Sequence, residues 1–355
     1  NLFGINTSYY GVMGLGATLI NAILLYAISY ILTKSKIAAV IVALLWITNN
    51  LVFQSISWIA TMIPSQFALM FFLISFLFLF LYINRQDNKF LVISIVSILI
   101  SMLFKEIGMY YIIVYGCAVV LFLPKKVRFR HKLFLFGLFL IPFLIVAILP
   151  RIYTLAVGNN NIKPTAQSTS NENIVYNLFL IPARSLYHVY VPQRQIYESI
   201  YAANHIHYLG QIDGFVVESI IADSFSLVVS FYILFFICII VVFSDDFARR
   251  RIIFFLLAFF ASTMPFIIFK NQAAILEPRF FIFPAIWASL LLTYSVYIAL
   301  RKLTILRPIF MILIFTPIII YYANGVKVLL NKEIEIGLYR QNILHTVETT
   351  SQLGD

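Results

Sequence analysis

Residues 97–116 read SILISMLFKEIGMYYIIVYG and place a lysine and a glutamate, Lys105 and Glu106, inside an otherwise apolar run. A charge at the centre of a membrane-spanning helix costs about 2.5–3.5 kcal/mol on insertion scales, so two adjacent charges at that depth are strongly unfavourable. The apolar stretch around them, residues 90–123, is 34 residues long. As one helix it would extend roughly 50 Å, well beyond a hydrocarbon core of about 30 Å. Two helices that meet in a tight turn at Lys105-Glu106 satisfy both constraints. The pair then lies at a membrane face, either as a polar hairpin turn reaching interfacial water or as a charged pair lining an outward-facing cavity.

The same logic extends to the whole chain. Its 355 residues are 62% hydrophobic, 17% aromatic and only 11% charged, with a mean hydropathy of +0.96. That balance leaves too little polar surface to cover a soluble core. Repeated apolar runs of about 17–25 residues are the mark of membrane-spanning helices. Such runs occur at about 9–33, 37–54, 65–84, 90–104, 107–123, 133–150, 224–243, 252–270, 279–300 and 308–323. The fold class expected is therefore an all-α integral membrane protein with about ten transmembrane helices.

Charge sets the sidedness. If the first span runs from outside to inside, the interior links are TKSK (33–36), NRQDNK (84–89), PKKVRFRHK (124–132), SDDFARRR (244–251) and RKLTILR (301–307). These short links hold 15 of the 25 lysines and arginines, as the positive-inside rule requires. Merging 90–123 into one span would invert everything after it and place KKVRFRHK outside. Clustering at membrane edges also assigns the +11 charge to anionic lipid headgroups rather than nucleic acid.

Four parts follow. Residues 1–150 hold six spans, 151–222 a long exterior loop with interfacial helices, 223–323 four spans, and 324–355 an exterior tail. The long loop opens on the flexible stretch GNNNIKPTAQSTSNEN. Its continuation IVYNLFLIPARSLYHVYVP carries Arg184 and His188 in a segment suited to lie in the interface.

Phosphate-cradle, dinucleotide and hydrolase motifs are absent from the sequence. Cys117 and Cys238 fall in apolar spans as small hydrophobes, and their number excludes a disulfide framework. His205 and His207 lack an acidic or cysteine neighbour in sequence, so no metal site is expected. Ionisable residues stand at two exterior helix mouths: Lys105-Glu106, and Glu277 with Arg279 in ILEPRFFIFPAIWASLLL. Glu277 would favour a helix N-terminus and Arg279 could reach headgroups. Alternatively Lys105 and Arg279 converge on a lipid-linked phosphate, Arg as a bidentate donor and Lys as a point charge.

Several segments, in order, resemble those of the polytopic GT-C glycosyltransferases, the group that includes protein O-mannosyltransferases and their tetratricopeptide-bearing relatives. FGINTSYYGVMGLGATLINAILLYAISYIL is similar to an early helix of that group, and FQSISWIATMIPSQFALMFFLISFLFLFLYI to a helix entered through Trp-Ile. LFKEIGMYYI resembles its lysine-bearing turn, and EPRFFIFPAIWASLLL its Glu-x-Arg-aromatic element. The resemblance covers much of 1–123 and 277–292.

It implies a membrane glycosyltransferase that moves a sugar from a polyprenyl-phosphate donor to a protein, glycan or lipid acceptor at the exterior face. Lys105 and Arg279 would contact the donor phosphate. Glu106, Glu277, Arg184 and His188 would orient substrate. The family's acidic base sits in a first exterior loop, whereas here no acidic residue precedes Asp87. The base is thus expected upstream of Asn1, with Glu106 or Glu277 as the fallback. No cofactor is implied with certainty. A transporter or flippase of lipid-linked saccharides, or a glycan polymerase or ligase, is the alternative. Residue usage rich in Ile, Phe, Asn and Lys hints at an AT-rich bacterial genome, and so at a bacterial cytoplasmic membrane.

Overall fold

The computed structural model describes residues 7–49, 52, 59–105, 111–124, 127–149, 152, 178–183, 185–186, 211–268 and 282–352. Among these the chain is all-helical, with ten α-helices of twelve residues or more. They are α1 (Thr7–Thr33), α2 (Lys36–Ile47), α3 (Ile59–Arg85), α4 (Asn88–Phe104), α5 (Tyr111–Phe122), α6 (Phe129–Phe143), α7 (Gln211–Phe243), α8 (Asp246–Ile268), α9 (Ile282–Ala299) and α10 (Arg307–Gln352). Five are long and apolar enough to cross a membrane: α1, α3, α6, α9 and the first half of α10. Shorter apolar helices cover α2, α4, α5 and residues 227–243 of α7.

The Lys105 region divides as its charges demand. Helix α4 ends at Phe104, with Lys105 as an extended C-cap whose N–H donates to the Ser101 carbonyl at 3.2 Å. Helix α5 begins at Tyr111. Side-chain pairs then fix direction. Against α3, α4 runs antiparallel: Ser94 meets Ser75 and Ser101 meets Ala68. Helix α5 runs parallel to α3, with Tyr111 against Phe72 and Phe122 against Phe80.

Two of the turns share one device. Lys34 and Gln86 adopt positive φ, 58° and 57°, each closing its helix by donating its N–H to a tyrosine carbonyl four residues back. The next residue caps the following helix: Ser35 accepts from the Ala38 N–H and Asp87 from the Lys89 N–H. A left-handed residue followed by an N-cap reverses the chain in two residues.

The core is a stack of aromatic rings. Phe76 packs its ring on Phe254 at 5.8 Å and meets Trp287 edge-on at 5.4 Å, while Phe72 lies 4.0 Å from Tyr111. Trp46 of α2 donates its indole N–H to the Ile282 carbonyl at 3.3 Å, holding the start of α9. A polar knot links three helices at mid-depth. Tyr115 donates to Ser75 at 2.6 Å, and Ser75 and Ser94 each donate to the other's carbonyl. Small hydroxyl residues let α3 and α4 approach closely while satisfying their polar atoms. Helix α6 continues into a π-turn at Leu144–Ile148, just after Pro142, which cannot donate its ladder hydrogen bond. Helix α10 packs its apolar half on α2 through Met311 and Phe315.

These contacts sort the links between two ends of the bundle. Arg301 pairs with Asp245 at 3.5 Å and donates to the Phe243 carbonyl, joining the α9–α10 link to the α7–α8 link. Lys34, Asn84, Phe122 and Arg251 line one cavity, which brings three more helix ends to the same place. The five basic links expected on one side thus lie together at one end. The α4–α5 break and the start of α9 lie at the other.

Candidate functional site

Of the charged residues expected at the site, Lys105 alone falls among the described residues. Glu106, Arg184, His188, Glu277 and Arg279 lie outside them, as do His205 and His207. Lys105 is half-buried, at the end of the bundle away from the basic links. Its ammonium donates to the Ser65 hydroxyl of α3 at 2.8 Å. Ser65 is fully buried, so the lysine reaches inward over the helix end instead of extending into solvent.

Beside this contact runs a line of buried polar groups. Gln66 follows Ser65 and accepts from the Asn21 amide of α1 twice, through its side-chain oxygen at 2.9 Å and its carbonyl at 3.1 Å. Ser101, one turn before Lys105, donates to the Ala68 carbonyl at 2.6 Å. The Tyr111 hydroxyl at the start of α5 is buried and without a partner among the described residues. Three helices are thereby joined by polar contacts around the root of one lysine. The Ser65 contact gives the lysine side chain its direction.

Asn21 and Gln66 are contributors that hydropathy reading passes over. Their signal is an amide within an apolar run, since polar side chains at membrane depth seek each other across helices.

A large apolar cavity of about 810 Å³ lies between residues 178–183 and 185–186, α7 and α8. Its walls include Leu178, Phe179, Leu227, Phe231, Phe259 and Met264. Phe179 and Phe231 are more than 60% exposed, so the cavity opens on the outer surface of the helices. Ser230 donates to the Ala183 carbonyl at 2.7 Å and holds residues 178–183 against α7. By direction of α7 and α8, this cavity is in the same half of the bundle as Lys105. Its size falls in the usual range for small-molecule sites, about 300–1,000 Å³.

No group of three or more metal-ligating side chains occurs among the described residues. The arrangement offers a positioned cation, buried hydroxyls and an apolar cavity in one half of the bundle. That chemistry suits the binding of an anionic head on an apolar chain. The fold defines the chain as a helical bundle of membrane type. No protein-family model matches its sequence, and no curated protein or solved structure matches it either.

Proposed function

We propose that this chain is a membrane glycosyltransferase of GT-C type, taking a sugar from a polyprenyl-phosphate donor and passing it to an acceptor at the exterior face. In this reading the ten helices cross the bilayer in alternation, the basic end is cytoplasmic and the Lys105 end is exterior. The carrying observation is Lys105, directed by buried Ser65 at the end opposite the basic links. A fixed cation there would hold the departing lipid phosphate, a role that strengthens as negative charge develops on the leaving group. The apolar cavity in the same half supports the reading, because a polyprenyl chain needs an apolar recess open to lipid. Arg279 would add a second phosphate contact, and Glu106, Glu277, Arg184 and His188 would orient donor or acceptor.

Transfer of radiolabelled sugar from a polyprenyl-phosphate donor, followed on gels in membranes that contain the protein, tests this directly. Lys105→Ala should abolish transfer or raise the donor KM by about tenfold or more, the loss of a charge-assisted hydrogen bond, while expression stays unchanged. Lys105→Arg should retain more activity because the charge remains. Normal transfer by Lys105→Ala would reduce the residue to a polar turn. Movement of labelled lipid between leaflets without sugar transfer would instead assign a transporter.

A further inference from the structure

The basic end holds a second polar site that the proposed reaction does not use. A cavity of about 220 Å³ lies where α1, α3 and α5 end and α8 begins. Lys34, Arg250 and Arg251 line it together with Asn84, and none of its lining residues is acidic. Leu32, Phe80, Phe122 and Phe247 supply apolar wall.

Arg251 sets this cavity apart from an ordinary basic rim. It is only 6% exposed, and its Nε and one terminal nitrogen are buried without a partner among the described residues. Its guanidinium stacks on the Phe247 ring, hydrogen-bonds the Tyr294 hydroxyl and lies near Asp245, which leaves Nε and one terminal nitrogen unmet. Asp245 is already engaged, accepting from the Ala248 N–H at 2.8 Å and pairing with Arg301. The neighbouring Arg249 makes a telling contrast. It donates to the Val241 and Ser244 carbonyls and pairs with Asp246, so its donors are used.

The ends of three helices favour cations in this place, which accounts for positive charge at the rim. It does not account for buried guanidinium donors that reach no carbonyl. Buried polar groups in native proteins are almost always satisfied, and a charged donor left unmet is costly. Planar paired donors on an arginine match the oxygens of a phosphate. The space also limits the ligand. At about 30 Å³ per water, the cavity holds about seven waters, enough for a phosphate and a few attached atoms but not a nucleotide.

We propose that this cavity binds a phosphate oxyanion, with Arg251 as its buried donor and Lys34 and Arg250 adding charge from the rim. The site stands apart from Lys105 and does not rest on the glycosyltransferase reading. Its ligand chemistry is shared by an anionic lipid headgroup and by free phosphate, and two probes separate them.

The full protein in detergent is assayed by native mass spectrometry for retention of phosphatidylglycerol against phosphatidylcholine. Its thermal midpoint is measured with inorganic phosphate against chloride at equal ionic strength. Preference for phosphatidylglycerol alone assigns a lipid headgroup; a raised midpoint in phosphate assigns the free anion. In either case Arg251→Gln should weaken the response about tenfold or more, as expected for a charge-assisted hydrogen bond. The Lys34→Gln/Arg250→Gln pair, at more exposed positions, should weaken it less. It also decides the matter if Arg251→Gln fails to fold. An equal response to each probe and its control, or binding unchanged in the double variant, overturns the proposal.

Discussion

Ser65 shows how one hydroxyl gives a lysine direction. A lysine at a helix end has four rotatable carbons and would ordinarily swing toward water. Here its ammonium donates to a buried oxygen one helix away. Removing that oxygen leaves the charge but takes away a contact that directs it. Under the proposed reaction, Ser65→Ala should therefore raise the donor KM by about tenfold or more, with kcat less affected, since a hydrogen bond to a charged group is worth about 1.5–3 kcal/mol. Ser65→Thr, which keeps the hydroxyl, should stay near wild type. Kinetics of sugar transfer check both, and equal KM for Ser65→Ala and wild type would leave the contact a structural one. Lys105 was legible in the sequence because a charge inside an apolar run must be explained. Ser65 was not. Hydroxyls in apolar helices commonly bond their own backbone one turn back, as Thr18, Ser29 and Thr33 do here. Sequence alone does not separate those from the serine that reaches another helix. Arg251 was hidden for a similar reason: it reads as one more interior cation within ARRR, and only packing against Phe247 shows it to be buried.

At the scale of elements, hydropathy located the helices better than it bounded them. The expected break at Lys105 coincides with the end of α4 at Phe104, because charge and excess length both demanded it. Elsewhere the apolar window marks the lipid-suited part of a helix and not its ends. Helix α7 begins at Gln211, ahead of the apolar run expected from 224, and α10 continues from its apolar half through NKEIEI to Gln352. Charged residues with good helix propensity carry the backbone onward. The two-residue turns were invisible to hydropathy, since TKSK and RQDN read only as polar. Gln86 provides a test of their geometry. A non-glycine residue at positive φ bears a steric cost of about 1–2 kcal/mol that glycine escapes. Its exposed side chain offsets part of this through a hydrogen bond to the Ile83 carbonyl at 3.0 Å. Gln86→Gly should therefore stabilise the protein by about 0.5–1 kcal/mol, the usual gain from relieving a left-handed residue after its hydrogen-bond loss. Thermal melts in detergent would register it as a small rise in midpoint. A fall would mean that the side-chain contact outweighs the backbone strain.

On the scale of the whole molecule, basic residues concentrate in the links at one end of the bundle, the kind of asymmetry that orients helical membrane proteins. The basic links cluster where α1, α3, α5, α7 and α9 end, while Lys105 stands at the far end. Neighbour relations were beyond sequence reach: alternating spans give each helix a direction but do not place α1 beside α3 or Arg301 beside Asp245. The alternation itself is open to a direct test. Asn88, exposed at the first turn of α4, lies at the basic end, and Ser168 falls in the segment between α6 and α7. Single cysteines introduced at these positions, after replacing Cys117 and Cys238 with alanine, report the side on which each stands. In intact cells Asn88→Cys should resist an impermeant thiol reagent and label only after permeabilisation. Ser168→Cys should label at once. The expectation follows from charge, because short links rich in lysine and arginine stay on the cytoplasmic side. It also follows from direction, because α6 runs away from the basic end and α7 returns to it. Labelling of Asn88→Cys in intact cells would place the basic end outside. The Lys105 end would then face the cytoplasm, and donor chemistry at the exterior face would have to be abandoned.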